Sequence, residues 1–263
     1  MKEVGRYFKV WLKMSFNSFR VAIETWQGAV LFLVAKLLRF GFYFAVIYTV
    51  VSKVRMFSGY DLNQVVFFFL TFNLVDVLSQ LLFREVYRFR PMVVSGDFDL
   101  VLVKPMNPLL RVVLGGGDFL DLVTLVPLVG GIIYYVSLLG NISFVNGLVY
   151  FVLVVNGIFI SFWLHVVVCA ICILTTDVDH AIMIYRDFTS MARVPTDIYS
   201  KFLQGMLTFF VPVVIMITFP AKAMLGALSG WGVGLAFLIS GIIFFLSKGF
   251  WRYSLKRYTS ASS

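Results

Sequence analysis

The stretch Leu122-VTLVPLVGGIIYYVSLLGNISFVNGLVYFVLVVNGIFISFWLHVVVCAICILT-Thr176 contains no Asp, Glu, Lys or Arg. About 20 consecutive apolar residues carry a helix across a bilayer, so this run holds two crossings, separated at Gly140-Asn-Ile-Ser143. Extending the same criterion outward gives six spans, at about 29–51, 62–83, 117–139, 144–174, 199–219 and 231–250. A lone crossing must satisfy every backbone N–H and C=O internally, and the alternating pattern of a membrane barrel is absent. The expected fold is therefore an all-α integral membrane protein, a single transmembrane domain over 1–263. Composition agrees: 60% apolar residues, 13% charged residues and a mean hydropathy of +0.94 exclude an ordinary water-soluble globule.

Basic residues give the orientation. Lys2, Arg6, Lys9, Lys13 and Arg20 precede the first span, and Arg84, Arg88, Arg90, Lys104 and Arg111 follow the second. Arg186, Arg193 and Lys201 fall after the fourth, and Lys248, Arg252, Lys256 and Arg257 close the chain. Only Lys53, Arg55 and Lys222 stand opposite, so the positive-inside rule places both termini in the cytoplasm. The net charge of +9 then reflects topology and contact with anionic membrane lipid, not nucleic acid.

Two connecting segments carry aromatic and basic residues together. Residues 1–27 lack a short apolar core with a small-residue cleavage site and read instead as an interfacial helix, with Trp11, Phe16 and Phe19 interspersed among Lys9, Lys13 and Arg20. Residues 175–198 read as an in-plane helix at the cytoplasmic side, ending at Val194-Pro195.

Charges inside spans need a partner or a water path. Lys36 and Arg39 lie in span one, Asp76 in span two, and Asp118 and Asp121 begin span three. Lys36 and Asp76 each sit about 10 Å from the cytoplasmic ends at 1.5 Å per residue. These five groups are expected to form an inner-leaflet ion-pair belt with Lys36–Asp76 as its first pair. Snorkelling of Lys36 and Arg39 toward headgroups is the alternative.

Other chemistry-bearing residues point to packing. Cys169 and Cys172 lie in an apolar helix without a second cysteine pair, and His165 has no nearby carboxylate, so neither a metal site nor a catalytic site is expected. Gly115-Gly-Gly117 lacks the Lys-Ser/Thr of a phosphate loop and reads as a flexible entry to span three. This chain is expected to bind no cofactor and to perform no catalysis.

The connection 84–111 carries the segment Ser95-Gly-Asp-Phe-Asp-Leu-Val-Leu-Val-Lys-Pro-Met-Asn-Pro108, whose charges flank an apolar patch as in a short docking element. It resembles the Gly-x-Leu-Asp-x-x-Leu-x-(Arg/Lys)-Pro signature of type-two ATP-binding-cassette (ABC) exporter permeases, in the bacterial branch that pairs two permease chains with a separate ATPase. Phe98 stands where that signature has an aliphatic residue. A second block is similar to the same branch: Arg193-Val-Pro-Thr-Asp-Ile-Tyr199, Phe210-Val-Pro-Val, and Phe219-Pro-Ala-Lys-Ala-Met-Leu-Gly226, with Pro195, Tyr199, Pro212, Pro220 and Gly226 at motif positions.

The resemblance implies a permease subunit of the bacterial inner membrane with an N-terminal elbow helix, a coupling helix after span two and a short extracytoplasmic hairpin between spans five and six. It also implies an ABC ATPase dimer, binding ATP and Mg, docked on Gly96, Asp97, Phe98, Asp99, Leu100, Lys104 and Pro105, and a second permease chain across the cargo path. An ion-driven secondary transporter and a lipid-modifying membrane enzyme are the competing classes. The first lacks inverted repeats, and for the second Asp177-Val-Asp-His180 is the only candidate cluster.

Overall fold

The computed structural model describes residues 2–54, 56–140 and 142–259. Arg55 and Asn141, used in the topology above, lie outside the described residues, as do Met1 and residues 260–263. The described chain is helical: α1 (Lys2–Glu24), α2 (Trp26–Ser52), α3 (Leu62–Phe83), α4 (Phe89–Val94), α5 (Asp97–Leu102), α6 (Pro108–Val113), α7 (Phe119–Leu138), α8 (Phe144–Thr175), α9 (Asp179–Ser190), α10 (Lys201–Phe209), α11 (Phe219–Met224) and α12 (Gly230–Lys256). Short capping side chains set where the long helices begin. Asp61 and Gln64 form a reciprocal capping box at α3, while Asp118, Ser143 and Ser229 each accept a backbone N–H at the starts of α7, α8 and α12.

Among the described residues, five helices are long and apolar enough to cross a membrane: α2, α3 with its extension to Val94, α7, α8 and α12. Of these, α8 has 32 residues, about 48 Å at 1.5 Å per residue, and it joins two packing centres. One gathers Phe67, Phe68, Leu153, Met216 and Ala236, and the other Phe89, Phe98, Trp163, Cys169 and Trp251. Phe67, Phe68 and Phe69 are all fully packed inside the protein. Cys169 and Cys172 are free and buried in the second centre. His165 Nδ1 meets the Ser161 carbonyl at 2.8 Å, making it the interior residue its apolar surroundings suggested.

The fifth span, expected at 199–219, is broken. Lys201–Phe209 and Val214–Met224 meet at an 85° bend; counted as one span, they would be the sixth. Pro212 sits in the break, and Val214–Thr218 winds as a π-helix. Tight packing explains the irregularity, because a Cβ on Gly157 of α8 would stand 2.6 Å from the Met216 carbonyl oxygen. Only glycine lets this backbone lie so close.

Both ends of the bent pair meet at Asp197. Gln204 Nε2 in α10 bonds the Asp197 carbonyl at 3.3 Å, and Lys222 Nζ in α11 reaches Asp197 Oδ1 at 2.7 Å. The Tyr60 hydroxyl, just before α3, donates to Asp197 Oδ2 at 3.1 Å. Burial, and then the adjacent carboxylate, raise the pKa of this phenol above the ordinary tyrosine value, keeping the donor protonated.

These contacts correct the in-plane expectation for 175–198. Asp179 pairs with Arg90 beyond one end of α3, whereas Asp197 joins Tyr60 at the other. Between them Tyr185 packs on His165, and Arg193 lies over Tyr43 and Phe72. The segment therefore follows the length of α3. Its polar residues suggested a headgroup-facing helix, but Arg186, Ser190 and Arg193 line a cavity between helices instead. Lys201 consequently belongs with Tyr60 and Lys222, away from Arg90.

Single-cysteine accessibility in intact vesicles tests this arrangement. Lys201→Cys is expected to react from the same side as Lys53→Cys and from the opposite side to Lys104→Cys; labelling of Lys201→Cys together with Lys104→Cys contradicts it.

Candidate functional site

The buried charges converge on Asp121, whose side chain is fully enclosed. Its Oδ1 accepts from Lys36 Nζ of α2, and its Oδ2 lies 3.5 Å from Arg84 at the end of α3. Arg84 also reaches Asp118 Oδ2 at 2.6 Å and stacks over Phe32. Charge-assisted contacts thus tie α2, α3 and α7 together.

The expected Lys36–Asp76 pair is replaced by Lys36–Asp121. Asp76 instead accepts from Gln80 Nε2 at 2.8 Å, and Gln80 Oε1 accepts from Arg84 at 3.2 Å. Equal depth put Lys36 and Asp76 in reach of one another, but helix rotation decided the partner. Arg39 makes no ion pair among the described residues and lines the cavities beside the network. Sequence reasoning missed Arg84 because it fell just past the assigned end of span two. Its position one turn beyond Gln80, itself one turn beyond Asp76, was the available signal.

Beyond Arg84 the connection folds as a compact set of short helices. Gly96 takes φ +80° between α4 and α5, a conformation that favours glycine. Phe98 is fully buried, with its ring 5.1 Å from both Phe89 and Tyr258 in edge-on contacts. Burial, followed by the Asp99 carboxylate, pushes the Tyr258 pKa up to about 12. Leu100 and Val103 face outward, at 59% and 80% exposure, and Asp97, Lys104 and Pro105 are exposed beside them. The segment is two-sided: Phe98 faces the bundle, while Asp97, Leu100, Val103 and Lys104 face out.

The helix α1 holds this connection from a second direction. Arg6 donates to the Pro105 carbonyl at 2.9 Å, the Asn107 N–H to the Tyr7 hydroxyl at 2.9 Å, and the Gly117 N–H to Ser15 Oγ at 2.8 Å. A Cβ at Gly115 would overlap the Glu85 side chain, and one at Gly116 would press on the Met14 backbone. The triglycine is therefore a site of close approach, in place of the flexible entry expected from sequence.

The second motif block assembles around the bent pair. Pro195 is buried just before Asp197, the Tyr199 hydroxyl donates to the Met191 carbonyl at 2.8 Å, and Pro212 marks the bend. Pro220 is buried at the start of α11, and Gly226 takes φ +68° against Asn146. At the corner after α8, Asp177 Oδ2 meets His180 Nδ1 at 2.8 Å, which lowers the Asp177 pKa, aided by the Asp179 N–H. No group of three or more potential metal ligands occurs among the described residues.

A family model described as "ABC-2 family transporter protein" matches residues 37–262. No curated protein and no solved structure matches the chain.

Removing one partner of a buried ion pair costs roughly 3–5 kcal/mol, because a charge is left unpaired. Lys36→Met or Asp121→Leu alone is expected to lower the thermal stability of the purified chain sharply, and Lys36→Met with Asp121→Leu to restore most of the loss. Additive losses in the double variant contradict the pairing.

Proposed function

The chain belongs to the ABC-2 transporter family, and we propose that it is the membrane permease subunit of an ATP-driven exporter whose motor is a separate ATPase dimer. Family membership makes it a multi-pass transport subunit rather than a catalytic one. The finer reading rests on one observation, the two-sided build of α5. Leu100 and Val103 are exposed large apolar residues next to Asp97 and Lys104, while the adjoining Phe98 is sealed into the bundle. Apolar anchors ringed by charge suit a docking surface.

In this reading α4 and α5 form the coupling element on the cytoplasmic side, and α1 is the elbow helix that braces it through Arg6, Tyr7 and Ser15. ATPase closure displaces α5. Phe98 then passes the displacement to Phe89 behind α3 and to Tyr258 behind α12, two elements with no need to bend because their contacts are packed rings. Arg84 couples the same end of α3 to α2 and α7 through Asp118, Asp121 and Lys36. Cargo passes between this chain and a second permease chain, since the two cores of one chain are closed by packed side chains.

The bent pair α10–α11 serves as an extracytoplasmic re-entrant hairpin locked by Lys222–Asp197, and α9 with residues 191–198 supplies the crossing that brings the chain to it. This replaces the shorter hairpin between spans five and six.

Co-expression with candidate ATPases tests the docking assignment. Leu100→Glu with Val103→Glu changes only exposed positions, so stability is expected to shift by about 0.5 kcal/mol or less, while recovery of the permease–ATPase complex in detergent falls at least tenfold. A stable, correctly folded variant that still assembles and supports coupled hydrolysis contradicts the assignment.

A further inference from the structure

Two adjoining cavities lie between α2, α3, α7 and α9. One, of about 200 Å³, has apolar walls that include Phe40, Phe69 and Phe72. The other, of about 540 Å³, lies toward Arg84 and Arg88. Both are lined by Lys36, Arg39 and Arg186, so they form two compartments of one cleft.

Its charge is one-sided. Across the two compartments the lining cations are Lys36, Arg39, Arg84, Arg88, Arg186 and Arg193, and the lining carboxylate is Asp76 alone. Lys36 and Arg84 are committed to Asp118 and Asp121 outside the cleft, and Arg88 stands 3.9 Å from Glu85. Arg39, Arg186 and Arg193 have no ion-pair partner among the described residues; Arg193 rests on the Tyr43 and Phe72 rings, its guanidinium carbon 4.1 and 5.3 Å from their centres. Arg39 and Arg186 are exposed at the open side of the cleft, and three guanidinium groups against one carboxylate leave a positive excess there that a bound anion offsets. Arginine supplies the planar, multiply donating geometry that phosphate oxygens accept.

We propose that this cleft binds an anionic, phosphate-bearing amphiphile, with the phosphate between Arg39 and Arg186 and the apolar portion against Phe40, Phe69 and Phe72. The site goes beyond the permease assignment and does not depend on it, because binding can be read without ATP or any partner chain.

Native mass spectrometry of the purified chain, titrated with phosphatidylglycerol or phosphatidylcholine, tests it. One phosphatidylglycerol per chain is expected to bind at least tenfold more tightly than phosphatidylcholine. Arg39→Gln with Arg186→Gln is expected to remove that preference, Arg39→Lys with Arg186→Lys to retain part of it, and Arg252→Gln with Lys256→Gln, at exposed positions on α12, to leave it unchanged. Displacement of the lipid by millimolar inorganic phosphate supports phosphate recognition with a water-soluble source; retention of the lipid supports the membrane as source. Equal binding of the two lipids, or an undiminished preference in the glutamine variant, overturns the proposal. If the glutamine variant does not fold, a photoactivatable phosphatidylglycerol on the wild-type chain decides: crosslinks to α2, α3 or α9 beside the cleft support the site, and crosslinks only elsewhere overturn it.

Discussion

A carboxylate enclosed by apolar helices cannot stay ionised alone, and the arrangement of this chain follows from how Asp121 meets that constraint. Its oxygens face Lys36 from α2 and Arg84 from the end of α3, so three helices share one charge centre. Arg84 is also the first residue of the connection leading to α5 and has a second partner in Asp118, the N-cap of α7. The residue that closes the membrane network is thus covalently the start of the segment proposed to receive the motor. The cleft beside the network draws on the same supply of cations, with Lys36 and Arg84 held by aspartates and Arg39, Arg186 and Arg193 left to face it.

Packing extends this rigid centre in two directions. Toward the connection, Phe98 stacks edge-on against Phe89 and Tyr258, and Tyr258 continues from α12, whose Trp251 is buried with Trp163 of α8. A displacement of α5 therefore meets close-packed rings on both sides. Toward the other end, the glycine at 157 admits the π-helical turn of Val214–Thr218 against α8, and Lys222–Asp197 closes the bent pair onto Tyr60. π-Helical turns are frequent at functional segments. Here the turn coincides with the proline-rich block noted in the sequence, around Pro212 and Pro220.

Much of this was legible in the chain itself. Uninterrupted apolar runs revealed α2, α3, α7, α8 and α12, since a membrane crossing leaves a length and composition that few other structures share. The two-sided character of Asp97–Lys104 was visible as charges around an apolar patch, although Phe98 proved to be an inward anchor. What escaped depended on rotation and on returns of the chain. Lys36 chose Asp121 over Asp76 because helix rotation, not depth, selects a partner. The segment 175–198 carries Arg186, Ser190 and Arg193, which suggested a headgroup-facing helix, yet they line a cleft between helices, so its path along α3 was hidden. The fifth span was read as unbroken although Pro212 lies within it, and the 85° bend and the return to Asp197 required Lys222 to be seen in place.

The central claim is that movement at the connection reaches the membrane cleft through Phe98. Its most direct test is a spin-label distance between Leu38→Cys on α2 and Ile184→Cys on α9, two exposed positions flanking the cleft, measured in the permease–ATPase complex with and without nucleotide. The account predicts a nucleotide-dependent shift of that distance with Phe98 present, and its loss in Phe98→Leu while the complex and ATP binding persist. An equal shift in both proteins would contradict it.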